Sequence, residues 1–355
     1  MRAMHVPDGF LDAPTSVATG VVAAGALAVS LRRASREIRE TGPALPGLVA
    51  AFIFAVQMVN FPIGAGTSGH LLGGALAAAL VGPWTGVLCM AVVLIVQALL
   101  FADGGLTALG TNVIDMGLTT VLVGFVVMTV LLRLLPQRRG AVAPVAGVAA
   151  FLSVPVAAVV FTLLYAVGGA VPIPLGQLAT AMIGWHVLIG IGEGLITAAV
   201  VGAVMASRPD LVHAARHLRR DLVLVDADGN PTATVSAQRP GTHPVGRRPL
   251  AIGMAVTALV AGGLSYFASA HPDGLEYVAE QLGIAPHATE SAAAGSPLAG
   301  YGVEGLGSSW LSGGLAGIIG AVVVLGLLWA VASVVRRHRA AHEPAVEREP
   351  DRVEA

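Results

Sequence analysis

The sequence predicts an all-α fold, a polytopic membrane helix bundle, and three observations carry that expectation. Of 355 residues, 55% are apolar and only 12% charged, about half the roughly 25% a soluble domain needs to cover its surface. Apolar runs near the roughly 20 residues that cross a bilayer recur along the chain between short polar breaks. The arginines fall in blocks between alternate runs, as in cytoplasmic loops. The same composition excludes a soluble globular enzyme and a disordered chain, which would be polar and rich in charge.

Nine spans follow, about 16–31, 44–61, 70–82, 84–101, 113–135, 144–168, 178–206, 250–268 and 309–335. The third and fourth are separated by Gly82-Pro83, which makes at least one of them unusually short. Arg32, Arg33, Arg36 and Arg39 follow the first span, and Arg133, Arg138 and Arg139 the fifth. Seven arginines from Arg208 to Arg248 follow the seventh, and Arg336 to Arg352 the ninth. Nine spans place all of these in the cytoplasm, with the N-terminus outside, the C-terminus inside and Arg2 alone on the outer face. The opposite loops carry acids, among them Asp8, Asp103, Asp273 and Glu276.

The spacing divides the chain into a seven-helix domain over 1–206, a cytoplasmic linker over 207–249, a two-helix hairpin over 250–335 around an outer loop, and a charged tail over 336–355. Within the linker, Val223 to Pro231 reads as a small turn or hairpin. Met1 to Thr15 contains no apolar core of a conventional signal peptide.

All 20 basic residues of the Lys+Arg count are arginine. Without lysine the chain can build neither a phosphate-binding P-loop nor a Schiff base, so any ATP-driven work requires another subunit. The lone Cys89 excludes an intrachain disulfide, and a net charge of -1 gives no reason to expect nucleic acid.

Three stretches carry candidate chemistry. In Met4-His5-Val6-Pro7-Asp8-Gly9-Phe10, a chain starting at Met4 would offer an α-amino nitrogen, the His5 amide nitrogen and the His5 imidazole in one chelate, a nitrogen set suited to Ni2+ or Cu2+, with Co2+ possible. His70, behind a Gly-rich loop on the same side of the membrane, is a further ligand candidate; the alternative is a surface His5 and a hydrogen-bonded helix-start His70. In the seventh span, His186 and Glu193 share a helix face at a depth where ionisable groups turn inward, lining a solute path or fixing helix packing. Gly190, Gly192 and Gly194 beside them admit close approach of a neighbouring helix or of the N-terminal segment. Between the fourth and fifth spans, Gln97 to Asp115 is irregular and polar; Asn60, Gln97 and Asn112 are candidates for orienting metal-bound imidazoles, or for packing alone.

These stretches resemble the CbiM/NikM family, the substrate-binding membrane components of energy-coupling factor transporters for cobalt and nickel. The resemblance rests on Met4 to Phe10, Asn60-Phe61-Pro62-Ile63-Gly64 to Ser68-Gly69-His70, Gln97-Ala98 to Asn112, and Trp185-His186 to Glu193-Gly194. His271-Pro272-Asp273-Gly274-Leu275-Glu276 is similar to the PDGLE signature of the smaller CbiN/NikN component, here fused to the larger. The resemblance implies that the metal is held by Met4, His5 and His70, that no cofactor is permanently bound, and that two cytoplasmic ATPase subunits and a transmembrane coupling protein drive uptake in a bacterial or archaeal cell membrane. It also implies that the hairpin assists metal loading or release without binding the metal itself. Met1-Arg2-Ala3 departs from the pattern by converting the Met4 amine to a peptide amide, so translation is expected to start at Met4 or the three residues to be trimmed. An outer-face Arg2 argues for the same correction.

A competing enzyme reading uses Gly66-Thr67-Ser68-Gly69 with His186, which looks like the serine–histidine dyad of rhomboid intramembrane proteases.

Overall fold

A computed structural model of the chain describes residues 5–64, 66–135, 138–218, 222–225, 231–235, 246–306 and 309–340. The fold is helical, with two short antiparallel strand pairs. Among the described residues, seven helical segments are long and apolar enough to cross a membrane.

Helix α1 (Ala13–Thr41) begins where Asp12 accepts a hydrogen bond from Thr15 N, and it runs ten residues beyond its predicted end before stopping at Gly42. Helix α2 (Ala44–Gln57) ends four residues before the predicted 61, because β1 (Phe61–Gly64) instead pairs with β2 (Thr67–Gly69). Helix α3 (Gly74–Val81) corrects the third predicted span. Its eight residues reach only about 12 Å, and all of them are buried. Residues 70–73 stay outside the helix because their backbone groups bond to side chains of other helices, and the small residues of α3 let neighbours surround it without lipid contact.

Helix α4 (Pro83–Leu100) is the most enclosed of the long helices, with 72% of its apolar window buried. A short α5 (Leu109–Asn112), a π-helical stretch at Val113–Thr119 and α6 (Thr120–Leu134) form one continuous rod. Helices α7 (Arg139–Gly168) and α8 (Leu175–Ser207) pack closely because Gly147 faces Gly194: a methyl on either would lie 2.8 Å from the other's carbonyl oxygen. The helices thus keep the predicted order through the first seven spans, whereas the β1–β2 pair and the shortened third span depart from it.

In the linker, β3 (Leu222–Val225) pairs with β4 (Pro231–Val235), matching the predicted hairpin; residues 226–230 of its turn lie outside the described residues. Helices α9 (Arg247–Gly262) and α11 (Ser309–Ala340) are the last two spans, and both pack on α2. The loop between them is folded. It contains α10 (Gly274–Gln281), which rests on α8 through Trp185 and Tyr277, whose ring centroids are 5.1 Å apart. Backbone bonds tie this loop to the first domain: Ser269 N donates to Asn60 O, Ser68 N to Pro272 O, Thr289 N to Asp8 O and Gly300 N to Phe101 O, each at 2.8 Å.

Candidate metal centre

Residues 5–12 form no helix, so their backbone polar groups need partners from elsewhere. Asn112 supplies two, its Oδ1 accepting from Val6 N at 3.0 Å and its Nδ2 donating to Val6 O at 3.1 Å. Gly105 N also donates to Val6 O at 2.9 Å, Ala170 N donates to Phe10 O at 3.0 Å, and Asp12 N donates to Gly168 O at 2.7 Å. The Asp8 carboxylate accepts from Thr107 N at 2.7 Å, from Leu106 N at 3.2 Å and from the Thr107 hydroxyl. Gly105 is required here, because any side chain would strike Asp8. Val6 and Phe10 close the segment into an apolar cluster with Leu178 and Met182 of α8 and Val278 and Ile284 of the α9–α11 loop.

This threading buries His5, 2% exposed, against His70, 6% exposed. Their ring centroids are 5.5 Å apart and the rings nearly perpendicular at 89°. Each imidazole meets a carboxylate: His5 Nδ1 lies 3.3 Å from Asp103 Oδ2, and His70 Nε2 lies 3.6 Å from Asp273 Oδ2. His70 Nδ1 is 3.1 Å from Leu71 O, which can only accept, and Nε2 is the ring nitrogen turned toward Asp273. His5 Nε2 has no hydrogen-bond partner among the described residues. Burial lowers the His5 pKa, only partly opposed by Asp103, and so keeps the ring neutral and able to donate a lone pair. Burial, with Asp103 nearby, pushes the Asp273 carboxyl up to about 7.

A polar chain orients these groups. Tyr301 donates to Asp103 Oδ2 at 2.6 Å, and its hydroxyl accepts from Gln97 Nε2 at 3.1 Å. Gln97 Nε2 also lies 3.0 Å from Gln57 Oε1, while Gln57 Nε2 donates to Leu72 O at 2.9 Å. Burial and Asp103 hold the Tyr301 hydroxyl well above the usual phenol range, so it remains a donor. Glu193 accepts from Leu72 N at 2.6 Å and Gly73 N at 2.8 Å, clamping the two residues that follow Leu71 and His70 at the N-terminus of α3, where a carboxylate is favoured.

The other sequence candidates are spread around this centre. Met4 lies outside the described residues. Asn112 holds Val6, next to His5, and Gln97 belongs to the chain reaching Asp103. Asn60 Oδ1 is buried with no hydrogen-bond partner among the described residues, and its backbone oxygen holds Ser269. His186 Nδ1 bonds to Met182 O at 2.7 Å within α8. Gly192 admits the Phe61 ring, whereas Gly190 and Gly194 admit α7; the N-terminal segment takes none of these places. The Ser68–His186 dyad does not form, since the Ser68 hydroxyl donates to His271 O at 2.8 Å and is capped by the same strand pairing that brings in Pro272.

Asp103, Tyr301 and Asp273 were not among the sequence candidates for the centre. Asp103 and Asp273 are visible as acids in an outer Asp-Gly-Gly loop and in the PDGLE signature, but no local signal marks Tyr301. Among the described residues, no group of three or more His, Cys, Asp or Glu side chains has the arrangement of a metal cluster.

Residues 5–211 match the family described as the cobalt uptake substrate-specific transmembrane region, CbiM, and residues 247–337 match the PDGLE domain. The chain is 41% identical over 209 residues to a protein of Archaeoglobus fulgidus provisionally named as a fused nickel transport protein NikMN, covering 59% of this chain and 68% of that one. It is 34% identical over 223 residues to the fused nickel transport protein NikMN of Rhodobacter capsulatus, covering 59% and 64%. It is 33% identical over 217 residues to the cobalt transport protein CbiM of Sorangium cellulosum, covering 59% and 94%. A crystal structure of a transition metal transporter superposes with a TM-score of 0.51 at 26% identity, covering 57% of this chain and 92% of that one. With its helical membrane fold, its buried pair of histidines and a family match over 5–211, the chain belongs to the CbiM family of cobalt uptake substrate-specific membrane components and carries a fused PDGLE domain.

Proposed function

We propose that this multi-pass protein is the substrate-specific component of an energy-coupling factor transporter, capturing Ni2+ or Co2+ from outside a bacterial or archaeal cell at Met4, His5 and His70. The observation that carries this reading is the burial of two imidazoles 5.5 Å apart, one on the N-terminal segment that Asn112, Gly105 and Thr107 hold and the other on the loop before α3. A chain beginning at Met4 adds the terminal amine and the His5 amide, completing a four-nitrogen set that suits Ni2+ and accepts Co2+. Asp103, beside His5, adds negative charge that draws a divalent cation into the centre.

The absence of lysine, and with it of a P-loop, supports a reading in which separate cytoplasmic subunits hydrolyse ATP and a coupling protein joins them to this chain. Arginine blocks on one face and acids on the other support an outward N-terminus and an inward C-terminus. In this reading the domain over 1–206 binds the metal, 207–249 links it to the PDGLE hairpin over 250–335, and the charged tail over 336–355 is cytoplasmic.

The test compares two purified forms, one starting at Met1 and one at Met4, each verified by intact mass and equilibrated with both metals. The Met4 form is expected to retain about one ion per chain and the Met1 form much less, by analogy with other sites where one missing ligand costs a large share of affinity. Equal retention by both forms, persisting after His5→Ala, would overturn the chelate.

A further inference from the structure

Two cavities of the fold differ in chemistry. One, of about 600 Å³, runs along α1 and is lined by residues such as Leu11, Val17, Ile95 and Val113, with no ionisable side chain among its lining. A divalent cation gains nothing there to replace its hydration shell. The second, of about 340 Å³, lies beneath the α9–α11 loop and is lined by Asn60, His271, Asp273, Glu276 and Tyr301 among others. His271 is exposed at its rim, whereas Asp273 is buried at its inner end.

Asp273 belongs to both the cavity and the metal centre. Its Oδ1 accepts from Glu276 N at 2.8 Å and caps α10, leaving Oδ2 without a hydrogen-bond partner among the described residues and 3.6 Å from His70 Nε2. Leu71 O accepts from His70 Nδ1, so Nε2 is the ring nitrogen that faces this carboxylate oxygen. Two such donors across this gap are bridged by a cation with bonds of about 2.1 Å at an angle of roughly 120°. The buried Asn60 Oδ1, also without a partner among the described residues, is a neutral oxygen in the same cavity.

We propose that the metal enters through this second cavity and that Asp273 passes it to His70. This inference rests on the reading of His5 and His70 as metal ligands. The ion exchanges cavity water for Asp273 Oδ2, bridges to His70 Nε2, and then leaves the carboxylate as the nitrogen set closes around it. No bond outside the metal's coordination sphere is made or broken. Asp273 thus governs the rate of loading, while the final occupancy belongs to the nitrogens. The fused domain supplies the step itself, through one carboxylate of its Pro272-Asp273-Gly274 turn.

The experiment follows uptake of radioactive Ni2+ by the full-length purified protein in detergent, as a time course and at equilibrium. Asp273→Asn is the informative variant because asparagine caps a helix as well as aspartate does, so α10 keeps its start. Loading is expected to slow by roughly tenfold or more, in the range by which groups behind the ligands tune metal sites, with the equilibrium stoichiometry kept. Asp273→Glu should recover part of the rate. In a second measurement Ala270→Cys, at an exposed position of the cavity wall, is labelled with a bulky maleimide; Cys89 is buried and leaves the label selective. The label should also slow loading. Unchanged rates in both the Asp273→Asn and the labelled protein overturn the route, and loss of equilibrium binding in Asp273→Asn overturns the handover by making Asp273 a ligand of the resting site. His70→Ala separates the two readings: if it retains full binding, the assignment of His70 as a ligand fails whatever Asp273 does.

Discussion

At His5, burial works in favour of metal chemistry. Its lowered pKa keeps the imidazole neutral through the range where a free histidine would protonate, so acid first weakens capture by protonating the terminal amine, whose usual range is about 7.7–8.0. Nickel retention by the Met4 form should therefore decline as pH falls from 8 towards 6, measured by equilibrium dialysis; a flat profile there would exclude the amine as a ligand. Stability runs the same way, through the ring itself: an unfolded His5 takes up a proton below about 6.5 that the folded one refuses, so the metal-free fold loses stability as pH falls through that value. Glu193 carries a separate prediction. Glu193→Ala leaves the amides of Leu72 and Gly73 buried without their carboxylate, which costs roughly 1–3 kcal/mol for each and should lower both the melting temperature in detergent and metal retention. A variant that melts like the parent would show that water or another group replaces the clamp.

Among the elements, α3 shows why hydropathy located the helices better than their ends. Its apolar residues read as a span, but the stretch from His70 to Gly73 is held out of the helix by Gln57 and Glu193, and sequence windows do not register partners 15 and 121 positions away. The same limitation shortened α2, because pairing of Phe61–Gly64 with Thr67–Gly69 replaces the last helical turn expected there. The α7–α8 contact is testable directly. Gly147→Leu puts a Cβ 2.8 Å from the Gly194 carbonyl oxygen and forces α7 and α8 apart, so the thermal midpoint should fall by an amount equivalent to roughly 1–3 kcal/mol, and Glu193, one residue before Gly194, should release the His70 loop with a parallel fall in metal affinity. An unchanged affinity would mean that α8 holds Glu193 in place without α7.

For the whole molecule, the hairpin after the linker is part of the centre's enclosure: Tyr301 reaches Asp103 across 198 positions, and Asp273 reaches His70. The purified chain alone is expected to hold metal without hydrolysing ATP, and vesicle uptake is expected only when the ATPase and coupling subunits are added; ATP hydrolysis by the isolated chain would refute that division of labour. From its own composition and order, the sequence determined the membrane class, the arginine asymmetry, the helix order and the histidines worth watching, because each depends on local hydropathy or on a short motif. Only the tertiary structure decided that α3 is a buried half-length helix, that Ser68 serves main-chain carbonyls, and that Asp103, Tyr301 and Asp273 surround the two imidazoles. Those arrangements depend on which backbone and polar groups must be satisfied once distant segments are buried together, and that pairing has no signature in any one stretch of the chain.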